Sequence, residues 1–72
     1  MDLNKETKEI IIRNSRLLYN LLQRMYRYTF SELQRICKLS DTDLCLAIGR
    51  LLQEGKMKMD RGEQGVYYMC IA

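Results

Sequence analysis

The sequence predicts one small, mainly helical α+β domain, and three observations carry that reading. Two helices follow each other with almost no chain between them. A helical apolar period gives way to an alternating one after Gly55. The chain has only 72 residues, so about 60% of the unfolded surface can be buried and the core must be small.

The best-marked element is Ser40 to Gly55. Ser40 is an N-cap, since its hydroxyl can accept from the free backbone N–H groups of the first turn. Asp41 and Asp43 put negative charge at the positive end of the helix dipole. Asp43 also holds the capping-box position three residues after the cap, with a short arm. Leu39 and Leu44 stand at the hydrophobic-staple positions. Leu44, Ala47, Ile48, Leu51 and Leu52 recur at spacings of three and four and make one buried stripe. Gly55 offers the left-handed residue that ends a helix at little cost.

Upstream, a helix is predicted from Asn4 or Thr7 to Met25. Its main apolar face holds Ile10, Leu17, Leu18, Leu21, Leu22 and Met25, with Asn14 inside it. Asn14 reads as a polar residue bonded nearby or as a register-setting contact between helices; the first is preferred. Arg13, Arg16, Asn20, Arg24 and Arg27 fall on a polar face. Ile12, Tyr19 and Tyr26 form a third, narrower stripe. Tyr28 to Phe30 reads as a short strand. Ser31 then caps a second helix through an S-x-x-Q capping box with Gln34, and Leu33, Ile36 and Cys37 give that helix its core face. Lys38 and Leu39 leave room only for a tight turn, the geometry of a helix-turn-helix.

After Gly55, Met57 and Met59 alternate with Lys56 and Lys58, giving a strand with one apolar and one basic face. Arg61 to Gly65 is a turn, and Val66 to Ile71 a second strand. The order is helix, strand, helix, helix, strand, strand. This is a winged helix-turn-helix, and it is expected to fill residues 1–72 as one domain.

The segment Leu44-Cys-Leu-Ala-Ile-Gly-Arg-Leu-Leu-Gln-Glu-Gly-Lys-Met57 resembles the third-helix signature of a family of small, uncharacterised prokaryotic winged helix-turn-helix proteins, roughly L-Y-L-A-L-G-W-L-A-R-E-G-K-I. Phe30 to Leu33, Lys38 to Ser40, and Asn14 to Leu21 are similar to that family's second helix, turn and first helix. The resemblance implies the fold and, by analogy, a DNA-binding or regulatory role. Arg50 stands where the signature has an aromatic residue and Gln53 where it has arginine.

Composition narrows the function. A net charge of +3 and pI near 8.9 permit nucleic-acid contact without demanding it. Residues 1–30 hold six basic and three acidic groups, 31–55 three and four, and 56–72 three and two. The basic excess therefore lies on the first helix and the wing. In a helix-turn-helix the third helix reads base edges, and Thr42, Arg50 and Gln53 are its candidate readers. Lys56, Lys58 and Arg61 on the wing are candidate phosphate contacts, or edge-strand lysines that discourage aggregation. The arginines of the first helix fit a solvated face better than a phosphate contact.

Ile12, Tyr19, Tyr26 and Leu46 are candidate residues of a homodimer interface, twofold dimers being the commonest oligomers. The expected function is a DNA-binding transcriptional regulator. The alternative is a protein–protein interaction or dimerisation module that kept the fold without binding DNA.

No histidine accompanies Cys37, Cys45 and Cys70, so no metal is expected. Cys37 and Cys70 read as core residues and Cys45 as exposed. No cofactor, catalytic constellation, signal peptide or membrane span is expected, and the location should be cytoplasmic.

Overall fold

A computed structural model describes the backbone of residues 3–71 and the side chains of residues 6–71. Three helices, α1 (Leu3–Leu21), α2 (Phe30–Cys37) and α3 (Asp41–Gln53), precede a hairpin of β1 (Met57–Gly62) and β2 (Gly65–Cys70). The strands are antiparallel, with Met57 opposite Cys70 and Gly62 opposite Gly65. The predicted first strand shrinks to one bridge, Tyr28 to Tyr68. Its two backbone bonds, of 2.9 and 2.7 Å, make Tyr28 a one-residue third strand.

Ser40 and Gly55 cap α3 as expected, but the short Asp43 side chain does not complete the capping box. Ser40 Oγ accepts from the Asp43 N–H at 3.2 Å, and Gly55 has φ +73°. The cap of α2 differs. Thr29, not Ser31, is the N-cap, and its hydroxyl accepts from Glu32 N–H while the Glu32 carboxylate accepts from Thr29 N–H. Both Thr29-x-x-Glu32 and Ser31-x-x-Gln34 satisfy the capping-box pattern. Pairing of Tyr28 with Tyr68 leaves Thr29 extended, and this decides between them by starting the helix at Phe30. Gln34 is then free to donate to the Leu39 carbonyl at 3.3 Å and to the Asp41 carboxylate, tying the turn to the start of α3.

The core joins Leu18 of α1 and Leu22 just past its end to Leu33 and Cys37 of α2, Leu44, Ala47, Ile48 and Leu51 of α3, and Met57 and Cys70 of the hairpin base. Several expected core positions lie outside it. Ile10, Leu17, Leu21, Met25, Ile36 and Met59 are exposed. Helix α1 stops at Leu21 rather than Met25, which takes a left-handed conformation with φ +65°. Beyond Met57 the first strand has no core beneath it, so alternation does not bury Met59.

Candidate nucleic-acid interface

Helices α2 and α3 are joined through Lys38, whose left-handed backbone (φ +58°) caps α2, then Leu39 and the Ser40 cap. This tight link fixes α3 across the domain with Leu44, Ala47, Ile48 and Leu51 inward. Thr42, Cys45, Leu46, Gly49 and Gln53 are exposed and share the opposite face at 100° per residue. That face is uncharged. Of the candidate readers, Thr42 and Gln53 lie on it, and Arg50 does not.

Arg50 turns toward α1. It pairs with Glu54 at 3.2 Å, and the same carboxylate lies 3.7 Å from Lys56. The Lys56 ammonium also stands 5.5 Å from the centre of the Tyr19 ring. Arg50 and Lys56 are thus held by one acid beside a depression of about 280 Å³, lined also by Ile12, Arg16, Tyr19 and Asn20. Lys58 and Arg61 are exposed and have no ion pair among the described residues. Alternation along β1 places them on opposite faces of the hairpin. The six candidate DNA contacts therefore form three groups: two polar readers on α3, two cations sharing Glu54, and two unpaired cations on the wing.

Two other arginines have structural partners. Arg24 donates to the Tyr19 and Leu22 carbonyls at 2.6 and 2.8 Å and lies 3.6 Å from the Tyr19 ring centre. It closes the carboxyl end of α1, where backbone carbonyls lack helical partners. Arg27 pairs with Asp60 at 3.3 Å and ties the loop after α1 to the wing. Arg13 and Arg16 remain exposed without ion pairs among the described residues. Sequence periodicity placed all four arginines on one helix face because it carried the helical period past Leu21, where α1 ends.

The candidate dimer residues separate as well. Ile12 and Tyr19 are half-buried, and the Tyr19 hydroxyl donates to the Ile71 carbonyl at 3.0 Å. Tyr26 and Leu46 are exposed. Tyr26 leans against Tyr28, with ring centres 4.8 Å apart. Cys37 and Cys70 are buried and Cys45 exposed, all as free thiols. Burial pushes the Cys70 thiol above its ordinary value, partly opposed by the charge of Arg24. Among the described residues no cluster of three acidic, cysteine or histidine side chains could hold a metal. No helix there is long and apolar enough to cross a membrane.

A tight two-helix turn, an outward-facing third helix and an antiparallel wing define a winged helix-turn-helix protein. The chain belongs to the family described as Winged helix-turn-helix domain (DUF2582), whose model matches residues 4–70. No curated protein and no solved structure matches it.

Proposed function

We propose that the protein is a DNA-binding transcriptional regulator that works as a cytoplasmic homodimer and catalyses no reaction. The observation that carries this reading is the wing, where Lys58 and Arg61 extend beyond the core without an ion pair among the described residues. Cations free of intramolecular partners can neutralise phosphates and release counterions, which supplies affinity without sequence information. Beside them, α3 presents Thr42 and Gln53 on an uncharged face, groups able to hydrogen-bond base edges. Arg50 and Lys56 contribute less charge, because each already faces Glu54.

Fluorescence anisotropy with pooled genomic duplexes tests the reading. Binding at low salt that weakens steeply as salt rises is expected. Replacing Lys58 and Arg61 with alanine should lower the slope of log affinity against log salt by about 0.9 for each phosphate that is no longer neutralised. Absence of binding at low salt sinks the proposal.

Exposed Leu46 and Cys45 on α3 favour a second reading, a protein-binding module. Asp41 and Asp43 at the start of α3 support it too, because they repel phosphate. Recovery of a specific operator would eliminate that reading.

A further inference from the structure

Helix α1 carries two apolar stripes one residue apart. Ile11, Ser15, Leu18 and Leu22 follow a spacing of four, three and four, and Ser15, Leu18 and Leu22 are buried in the domain. Ile10, Asn14, Leu17 and Leu21 repeat the same spacing on the adjoining face. Ile10, Leu17 and Leu21 are 41%, 42% and 49% exposed. This is the a/d spacing of a coiled-coil seam, with Asn14 and Leu21 at a and Ile10 and Leu17 at d.

Each stripe holds one polar residue, and the two differ in how they are satisfied. Ser15 donates its hydroxyl proton to the Ile12 carbonyl at 2.8 Å. Asn14 is only 8% exposed, yet its carboxamide makes no hydrogen bond among the described residues. No buried side-chain polar atom among the described residues lacks a partner, so the unbonded carboxamide reaches the surface of the stripe, where a second helix could meet it. A single asparagine at an a position is the established way to fix register between paired helices.

Two further features say what covers the stripe. The amino-terminal part of α1 runs past the core: residues 6–10 are all exposed, and the molecule measures 44 × 23 × 18 Å. Helical turns without packing are marginal in water, so this end gains most from another helix. The outer edge of the stripe carries Glu6, Arg13 and Asn20 at intervals of seven and sums to zero charge. Such an edge does not repel a like edge and gives a charged partner no net attraction.

We infer that a second copy of this chain packs along this stripe, α1 against α1, and that Asn14 takes its hydrogen bond from the other helix. Leu17 and Leu21 form the centre of the contact and Ile10 its outer end. The inference rests on the dimer of the preceding section and is independent of DNA binding. It moves the interface away from Ile12 and Tyr19, which are half-buried and line the depression beside Arg50 and Lys56.

Sedimentation equilibrium on the full chain tests it, with circular dichroism as the check on folding. The wild type is expected at twice the 8.6 kDa chain mass. Leu17→Glu and Ile10→Glu should each lose the dimer while keeping the helical spectrum. Ile10 lies outside the core, so its variant cannot fail through disrupted packing. Asn14→Leu should tighten association and add larger species, because the register-setting group is gone. A wild type that sediments as a monomer overturns the dimer altogether. A dimer indifferent to both glutamates but dissociated by Leu46→Glu keeps the dimer and overturns this surface. Asn14→Leu that associates like the wild type removes Asn14 from the seam.

Discussion

Thr29 shows how one side chain sets an element. Its hydroxyl and the Glu32 carboxylate satisfy two backbone donors at the start of α2. Thr29→Ala should therefore cost about 1 kcal/mol in chemical denaturation, whereas Ser31→Ala should be nearly silent because Ser31 caps nothing. Leu51, in the fully buried heart of the core, should lose about 2–5 kcal/mol on truncation to alanine. That is much of the stability of a small domain, and a thermal melt will read it. Cys70 gives a pH signature. Its folded thiol titrates above the unfolded value of 9.0, so the native state holds its proton longer and stability falls as pH rises past about that value. Stability should be flat through neutral pH as far as this group is concerned. Cys70→Ala should lower stability everywhere and flatten the alkaline loss seen in denaturation curves recorded from neutral to high pH.

At the scale of elements, the hairpin and α3 divide the work of the candidate interface. The wing is anchored at its base, where Lys56 N–H reaches the Leu51 carbonyl and Ile71 N–H the Lys56 carbonyl, both at 2.9 Å. Arg27 and Asp60 tie its middle to the loop after α1. Such an exposed pair is worth less than about 1 kcal/mol, so Arg27→Ala should leave the melting temperature almost unchanged. Its expected effect is on the wing, seen as faster amide exchange in β1. Helix α3 supplies an uncharged face flanked by acid at its start and by the Arg50–Glu54 pair at its end. It suits reading base edges better than holding phosphate. On the proposed reading the holding falls to the wing, and a thiol reagent that selectively labels exposed Cys45 should block DNA binding by covering that face.

At the scale of the whole molecule, the distribution of apolar residues goes beyond what one small core uses. The core takes one stripe of α1 and leaves its neighbour exposed, and α1 itself extends past the domain. Both features become economical if the functional unit holds two chains. A dimer through α1 would present two α3 faces and two wings, which predicts recognition of a twofold-symmetric site. Selection from random duplexes should then return paired half-sites; a single half-site bound by the monomer mutant as tightly as by the wild type would contradict it.

The element order, the caps of α3 and its buried stripe were readable from sequence because each depends on neighbours within a turn or two. Ser40, Gly55 and the Leu44-to-Leu51 spacing are local facts, as is the switch to alternation after Gly55. Four things needed the tertiary structure. The cap of α2 moved to Thr29 because Tyr28 pairs with a strand 40 residues away. The wide apolar face of α1 split because a domain this small covers only part of it. Arg24 left the presumed basic stripe to close the end of α1, and Arg50 and Lys56 met at Glu54. In the first two cases packing against distant elements made the choice, and periodicity carries no information about distant partners; Arg24, Arg50 and Lys56 found partners two to five residues away, where the chain turns at the end of a helix and the helical period stops. The sequence by itself determined that this is a winged helix with a basic wing; the packing decided which of its cations, and which of its apolar faces, remain available.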